Sequence, residues 1–480
     1  MKSSELPQLV SAKQLLKDVK FLVKEVGYRP TGSLAVHQVA KLVESRFQSC
    51  GFEIARESYP LEVPELPFAE LKLDGGKIIL GLPLIGIPPE QPYCISPKEG
   101  RFAGRLVDCG DATGDALPAD LSGAIALVRN QQFMPGAVWK VFDLCQRGAG
   151  AVVFWNEGTT DQFLFPLATM REEMLTMPLL MPRRIPVAVV SDKSGKILMK
   201  LAKRNGVVEI STASQQHKVS CINVLGTLPG VGKLAQEIVL VCAHIDAGYE
   251  RPDIVGAEDN ASGLAMVLEV ARGISRLAQE AKHLSARRTM VFLAYDAEET
   301  NCFGIWSWLL DLKALLNLKG GFNALCEFEK MLFFGDAQWQ QFAGTGGFTQ
   351  RFAHWDRLAN TKVILEADGC GIGDRLQIAH NVRPKQRFNQ VIQGIPAVIG
   401  VPADHVEVYP LDFASEVGRR ATLLGYPTHQ VAFHVGDASG ARPCPHTPHD
   451  SLKLIDANSL RMAATAYLVA AWGACTAEKL

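Results

Sequence analysis

The spacing of apolar residues predicts two amphipathic helices near the start of the chain. Apolar side chains recur at helical intervals over residues 8–26 and again over residues 34–50. Residues 27–33 lie between these segments and are rich in glycine and proline, which favours a loop. The chain is therefore expected to begin with a helix, a loop and a second helix.

The pattern changes between about residues 69 and 213, where short runs of β-forming residues alternate with turn residues. Runs typical of strands occupy residues 123–128, 150–154 and 185–190, and a helix-like stretch at residues 138–147 precedes the second run. This part of the chain is predicted to form a small β-rich domain.

From about residue 221 onwards, short buried strands alternate with amphipathic helices. The predicted strands cover residues 238–242, 290–295, 363–366 and 429–433. The predicted helices cover residues 261–277, 303–316, 412–424 and 457–472. Alternation of this kind implies an α/β fold with a mostly parallel sheet that is covered by helices on both faces.

These patterns predict one α/β domain that is interrupted by an insert. Residues 1–68 and 221–480 are expected to form the α/β domain, and residues 69–220 the β-rich insert. The length of 480 residues agrees with two or three domains. The formal net charge of −1 provides no general attraction to nucleic acid or to an anionic membrane, so neither is an expected partner.

Several features favour a cytoplasmic protein without a membrane anchor. Residues 1–13 lack the apolar core of a secretory signal. The apolar stretch at residues 462–475 is shorter than the roughly 20 residues that a spanning helix needs. The 11 cysteines are scattered and include no C-x-x-C pair, which is typical of reduced thiols. Export after processing or without a leader is the alternative.

Residues that bind metals or transfer protons follow several predicted strands, at the ends where α/β sheets place their ligand sites. His244 and Asp246 come after the strand at residues 238–242. In an extended chain, residues i and i+2 point the same way, so Asp246 can accept the second N–H of His244 and orient its ring. Taken alone, the pair is also compatible with a surface or capping interaction.

Asp259 and Asn260 lie within residues 256–263, a segment whose glycines permit close backbone approach. A capped loop before the next helix is the simpler interpretation of Asn260. That interpretation does not account for the position of Asp259, about one loop away from His244.

Glu298 and Glu299 follow the strand at residues 290–295. Two adjacent carboxylates repel each other unless a cation is near. One of them can bind a metal while the other takes a proton from the attacking water. Acidic residues in the first turn of a helix are the alternative interpretation.

Asp368 follows the strand at residues 363–366, and His446 lies shortly before the last helix. Each alone is compatible with an ordinary turn or loop. Together with the preceding positions, they place histidines and carboxylates at successive strand ends of one α/β unit. Such a mixed set suits two zinc ions that share a bridging carboxylate, and it favours zinc over magnesium or calcium. The following histidines are expected to be loop, core or supporting residues: His354, His380, His405, His429 and His434.

The order and the residues of these motifs resemble those of the zinc aminopeptidases of metallopeptidase clan MH, the family of bacterial leucyl aminopeptidases and aminopeptidase Y. The resemblance covers about residues 221–480 and is most specific at residues 256–263, Gly-Ala-Glu-Asp-Asn-Ala-Ser-Gly. It implies a phosphorylase/hydrolase-like α/β fold and two zinc ions per chain. At the fourth motif the family often has Asn or Leu and then Asp-Met before a glycine, whereas this chain has Glu-Ala-Asp-Gly at residues 366–369.

The resemblance also implies a role for each candidate residue. The implied ligands are His244 and Asp368 for one zinc, Glu299 and His446 for the other, and Asp259 as the bridge. The two remaining residues have catalytic roles: Asp246 orients His244, and Glu298 is the general base.

Residues 69–213 resemble a protease-associated domain in the segments 123–128, 148–153 and 185–189. In related enzymes such an insert lies beside the active site and can restrict substrate access. The helices before residue 51 resemble the start of the peptidase domain, so the insert is implied to divide that domain.

The sequence therefore predicts a zinc-dependent exopeptidase that acts on peptides, with release of N-terminal residues as the expected reaction. Carboxypeptidase activity remains open, because related enzymes of the clan include both types. The alternatives are a glutaminyl-cyclase-like zinc acyltransferase and an inactive interaction protein of the same fold. The complete Asp-Asn-Ala-Ser-Gly sequence at residues 259–263 favours the peptidase over the cyclase. No oligomeric state is predicted.

Overall fold

A computed structural model describes most of the chain and shows a mixed sheet flanked by helices. The described residues are 3–83, 97, 99–113, 117–130, 137–157, 183–248, 252–300, 302–309, 357–410, 417–418, 421, 428–436 and 448–480. The strands are β1 Glu53–Leu73, β2 Ile78–Pro83, β3 Glu99–Asp108, β4 Ala124–Asn130, β5 Ala151–Asn156, β6 Val187–Val190, β7 Val207–Leu228, β8 Ile238–His244, β9 Thr289–Tyr295, β10 Thr361–Glu366, β11 Arg375–His380, β12 Val406–Pro410 and β13 His429–Gly436. The α-helices are α1 Ala12–Lys20, α2 Leu34–Ser49, α3 Ala137–Gln146, α4 Asp192–Ala202, α5 Gly263–Glu280, α6 Phe303–Leu309, α7 Arg357–Asn360, α8 Arg387–Ile399 and α9 Ala457–Thr476.

The described strands form one 13-stranded sheet in the order β1-β2-β6-β5-β4-β3-β7-β9-β8-β10-β13-β11-β12. One half of this sheet contains β8, β9, β10 and β13: β8 runs parallel to β9 and β10, and β10 runs parallel to β13. His244 pairs with Tyr295 and Cys242 pairs with Glu366, so the carboxyl ends of β8, β9 and β10 lie at the same edge. The predicted α/β class is therefore confirmed.

The strands of this half are buried because helices cover the sheet. Every residue of β8 is buried, which is typical of a central parallel strand. Val239 and Val241 pack in one hydrophobic cluster with apolar residues of α1, α2, α5, α8 and α9. Leu240 and Cys242 point to the opposite face and are buried as well. The helices predicted at residues 8–26 and 34–50 are thus part of the same core as β8.

The region predicted as the insert combines parallel strands with helices. Strands β3, β4, β5 and β6 run parallel to one another in that order, and hydrophobic clusters lie on both of their faces. The strands predicted at residues 123–128, 150–154 and 185–190 are confirmed as β4, β5 and β6. Helix α4 was not predicted, since Gly195 interrupts its sequence. A β carbon at Gly195 would lie 2.4 Å from Trp155, so close packing on β5 requires the glycine.

The two long strands β1 and β7 connect the two regions. They pair antiparallel from Glu53 opposite Thr227 to Leu73 opposite Val208. The predicted domain borders near residues 69 and 220 lie within these continuous strands.

The helix predicted at residues 412–424 lies largely outside the described residues, as does the second half of the one at 303–316. Within the described parts of the chain, no helix has the length and apolar character that crossing a membrane requires.

Candidate metal centre

His244 is the last residue of β8 and is almost completely buried. Its Nδ1 atom lies 3.1 Å from the main-chain oxygen of Asp246, whereas the carboxylate Oδ1 of Asp246 is 3.6 Å away. A carbonyl oxygen can only accept a hydrogen bond, so Nδ1 is the donor and Nε2 faces the site. The main chain of Asp246 therefore makes the hydrogen bond that orients the ring.

The carboxylate of Asp246 is fully buried and joins three parts of the chain. Its Oδ2 accepts a hydrogen bond from the Thr31 hydroxyl at 2.8 Å. Its two oxygens also accept from the main-chain amides of Glu298 at 3.1 Å and Glu299 at 3.2 Å. Because both amides are held, Asp246 sets the direction of the loop that carries the two candidate glutamates.

Asp259 lies in the loop between β8 and α5. In this loop the φ of Gly256 is 51°, and a β carbon there would lie 2.0 Å from the main-chain oxygen of Asp259. The amides of Glu258 and Asp259 donate to the two carboxylate oxygens of Asp450 at 2.6 Å and 3.0 Å. The side chain of Asp259 points to the end of β8, with Oδ1 3.2 Å from Nε2 of His244.

Asn260 joins this loop to the end of β10. Its Nδ2 donates to the main-chain oxygen of Ala367 at 2.8 Å, and its Oδ1 accepts from the amide of Gly263 at 2.9 Å. The next residue, Asp368, has its main-chain oxygen 2.6 Å from Nδ1 of His434. His434 was expected to be a loop, core or supporting residue, and it lies here as a buried neighbour of a candidate ligand.

Glu298 and Glu299 follow β9 in a tight loop in which Ala297 has a φ of 60°. Glu299 is buried, and its Oε1 accepts a hydrogen bond from the amide of Gly248 at 3.4 Å. The Oε1 atom of Glu298 accepts from the Cys302 thiol, whose Sγ is 3.1 Å away.

The candidate ligand atoms converge on one place. One donor atom each from His244, Asp259 and Asp368 lie within 4.8 Å of one another, and the same holds for His244, Glu298 and Glu299. These residues come from the ends of three neighbouring strands and from the loop before α5. Parallel register brings them together, because all three strands end at one edge of the sheet.

The donor set fits a divalent metal ion such as zinc. Nε2 of His244 is buried and makes no hydrogen bond within the described residues, although a carboxylate oxygen is 3.2 Å away. A metal ion would satisfy both atoms, and zinc binds imidazole nitrogen together with carboxylate oxygen. His446, the remaining expected ligand, lies outside the described residues.

Buried carboxylates give the centre a negative electrostatic field. Burial acts to lower the pKa of His244. The charge of Glu298 and the nearby carboxylates of Asp246 and Asp259 outweigh burial and raise that pKa well above its ordinary value. Burial also raises the pKa of Glu298, and the charges of the neighbouring aspartates add to this effect, although His244 opposes it. The field that favours a proton on His244 equally favours a metal cation.

Arg29 and Asp450 belong to the same centre, although neither was among the predicted site residues. Both are buried, and Arg29 Nη2 donates to the main-chain oxygen of Gly256 at 2.9 Å. Burial raises the pKa of Asp450 to about 7. The only local signal for these residues is their position. Asp450 ends the stretch that contains His446, and Arg29 lies in the loop at residues 27–33.

Comparison with known families identifies the chain as a peptidase-family protein. Residues 223–471 match the family model described as "Peptidase family M28". The matched segment makes up more than half of the 480 residues. The chain therefore belongs to peptidase family M28.

Two curated relatives share parts of the sequence. The BOS complex subunit NCLN of Rattus norvegicus is 31% identical over 125 residues, which is 25% of this chain and 22% of the rat protein. Aminopeptidase YwaD of Bacillus subtilis is 23% identical over 303 residues, which is 62% of this chain and 57% of YwaD. The match covers less than two thirds of the length of either relative.

Among solved structures, the chain is similar to BSAP, a zinc aminopeptidase from Bacillus subtilis. The TM-score is 0.66 at 18% sequence identity, and the match covers 98% of this chain and 96% of BSAP. At this level of identity, the similarity shows that the two chains share an α/β fold.

Proposed function

We propose that the protein is a zinc-dependent exopeptidase that releases N-terminal residues from peptides. The observation that carries the proposal is the convergence of His244 with Asp259, Asp368, Glu298 and Glu299 at one edge of the sheet. Membership of peptidase family M28 supports the hydrolysis of peptide bonds. The shared fold with a zinc aminopeptidase supports the choice of metal and of reaction.

The chain is proposed to hold two zinc ions. His244 and Asp368 would bind one ion, Glu299 and His446 the other, and Asp259 would bridge the pair. The contact between Nε2 of His244 and Oδ1 of Asp259 supports a shared site for the histidine and the bridge. The proximity of donor atoms from His244 and Glu299 supports a second ion beside the first.

Glu298 is proposed to carry the proton in the reaction. Zinc would supply the electrophile that polarises the scissile carbonyl and lowers the pKa of water toward about 7. Glu298 takes the proton of the attacking water and passes it to the leaving amine. The raised pKa of Glu298, which burial causes, supports this role because a stronger base accepts the proton more readily. Asp246 holds the amide of Glu298 and so directs its side chain.

The chain is proposed to divide into a catalytic domain and an insert. Residues 1–68 and 221–480 would form the catalytic domain, and residues 69–220 the protease-associated-type insert. This division is supported by the shared hydrophobic cluster of α1, α2 and β8, and by the separate clusters around β4, β5 and β6. A cytoplasmic location remains a prediction from the sequence.

A peptide-library digest analysed by mass spectrometry tests the proposal. We expect products shortened from the amino end, together with about two zinc ions per purified chain. Products shortened from the carboxyl end would indicate a carboxypeptidase, and loss of ammonia from N-terminal glutamine without shortening would indicate a cyclase. Glu298→Gln, purified in the same way, is the control for a contaminating peptidase. A zinc-loaded wild type that leaves every peptide intact would overturn the proposal.

The second candidate is an interaction protein without peptidase activity. The observation that favours it is the 31% identity, over 125 residues, with a protein named as a complex subunit. This candidate predicts a wild-type protein that lacks stoichiometric zinc and trims no peptide. The convergence of candidate ligands favours the peptidase, because a protein that only binds partners has no need of a buried donor cluster.

A further inference from the structure

Arg29 contacts the loop that carries Asp259 through that loop's carbonyl oxygens. Its Nη1 and Nη2 donate to the main-chain oxygens of Val255 at 2.5 Å and Gly256 at 2.9 Å. Its Nε donates to the main-chain oxygen of Ile245 at 3.0 Å, directly after β8. One planar guanidinium therefore joins the loop to the strand end that carries the candidate histidine.

Asp450 contacts the same loop through its amides. The amides of Glu258 and Asp259 donate to Oδ1 and Oδ2 of Asp450 at 2.6 Å and 3.0 Å. Over residues 255–259, a guanidinium thus donates to two successive carbonyls and a carboxyl group accepts from two successive amides. Each contact has the polarity that its main-chain partner requires.

The two side chains also interact with each other as charges. Arg29 is 1% exposed and Asp450 is 0% exposed, so an isolated charge at either position would be costly. Burial lowers the pKa of Arg29, and the charge of Asp450 is the largest effect that opposes this lowering. The pair is therefore partly neutralised while both members keep their contacts to the loop.

We propose that Arg29 and Asp450 form a clamp that positions Asp259 for metal binding. The inference rests on the proposed function and deepens it, because it assigns two positioning residues to the same centre. The carboxylate of a bridging ligand has to stay within about 0.5 Å of its binding position. A loop that is not paired with a strand keeps such a position only if other groups form hydrogen bonds with its main chain. The clamp supplies those contacts from two distant segments of the chain.

Asp450→Asn is the most direct test. The asparagine keeps the size of the side chain but offers one acceptor oxygen, so one of the two amides would face an NH₂ group. We expect zinc affinity to fall by about 10–100-fold, as is usual when a partner that supports a ligand is removed. Calorimetric titration with zinc and metal analysis at a fixed free zinc concentration measure the change without reference to activity.

Asp18→Asn is the matched control. Asp18 is also a buried carboxylate that is paired with an arginine, Arg46, but its ion pair and its hydrogen bond from Gln14 involve no residue of the clamp and no candidate ligand. We expect this control to lower thermal stability while zinc affinity stays at the wild-type value. The absorption spectrum of the cobalt-substituted protein is a second readout. It should change in Asp450→Asn and remain unchanged in Asp18→Asn, because only the first alters the coordination geometry.

Arg29→Lys provides an independent variant if Asp450→Asn does not fold. Lysine keeps the charge but lacks the planar guanidinium with which Arg29 donates to three carbonyls, so zinc affinity should fall as well. Wild-type zinc affinity and an unchanged cobalt spectrum in the variant would overturn the clamp and leave the proposed function standing. A wild type that binds zinc but trims no peptide would overturn the proposed function alone. A wild type that binds no zinc would overturn both.

Discussion

The proposed insert and the proposed catalytic half of the sheet, which contains β8, β9, β10 and β13, both have parallel strands flanked by helices, but they differ in their acidic residues. In the insert, Asp108 ends β3 and Asp111 follows it, and their carboxylates accept hydrogen bonds from residues only two positions away, Gly110 and Thr113. In the catalytic half, Asp246 and Asp450 accept from segments that are distant in the sequence. The first pair closes local turns, whereas the second pair organises a centre.

Asp111 of the insert and the pair Glu298 and Asp450 of the centre have pKa shifts in opposite directions. A hydrogen bond from the side chain of Thr113 lowers the pKa of the exposed Asp111. Burial raises the pKa of Glu298, and it raises the pKa of Asp450 to about 7. An acidic residue after a strand is therefore weak support for a site. Burial of several such residues around one histidine is much stronger support.

The largest effect is expected at Glu298. Glu298→Gln should retain both zinc ions while kcat falls by about 10²–10⁴. Glutamine has the size and shape of glutamate, but it cannot accept the proton of the attacking water. Glu299→Gln should weaken zinc binding first, and its activity should follow metal occupancy. Metal analysis and steady-state kinetics of both variants check this. Loss of zinc in Glu298→Gln together with full zinc in Glu299→Gln would show that the two roles are reversed.

A core substitution in the insert tests whether the two regions are energetically separable. Phe154 is fully buried in a cluster of the insert, and Phe154→Ala should lower the free energy of unfolding by about 3–5 kcal/mol. Zinc content should stay at the wild-type value, because that cluster contributes no candidate ligand. Denaturant unfolding and metal analysis measure the two quantities. Loss of zinc from the folded variant would show that the centre depends on the insert.

Removal of zinc should affect the catalytic half selectively. At a free zinc concentration 100 times the dissociation constant, binding stabilises the folded state by about 2.7 kcal/mol, and a chelator would remove this contribution. Hydrogen exchange should then increase in residues 256–263 and 296–300 and stay constant in β4 and β5. Uniform faster exchange across both regions would contradict the local assignment.

The smallest effect is expected at an exposed acid of the insert. Asp111→Asn removes a charge from a turn, so zinc content, kcat and melting temperature should match the wild type. A marked loss of zinc in this variant would mean that acidic residues of the insert also serve the metal. The same three measurements on Asp450→Asn provide the contrast.

The sequence by itself determined the class of fold and which residue types stand at the strand ends. Hydrophobic periodicity predicted β8, β9 and β10, and parallel strands of one sheet necessarily end at a common edge. That rule led to the prediction that His244, Asp259 and Glu298 lie near one another, and in the structure Asp259 and Glu298 both lie close to His244. Their roles as ligands and base remain predictions.

Only the tertiary structure decided which side chains hold the loops at the carboxyl ends of β8, β9 and β10. Arg29 and Asp450 lie near opposite ends of the chain, and no periodic pattern relates them to the loop at residues 255–259. The hydrogen bonds of Asp246 to two main-chain amides depend equally on how β8 and β9 pack. Local sequence encodes secondary structure through short-range preferences. Contacts between a side chain and a distant main-chain group exist only once the fold has brought them together.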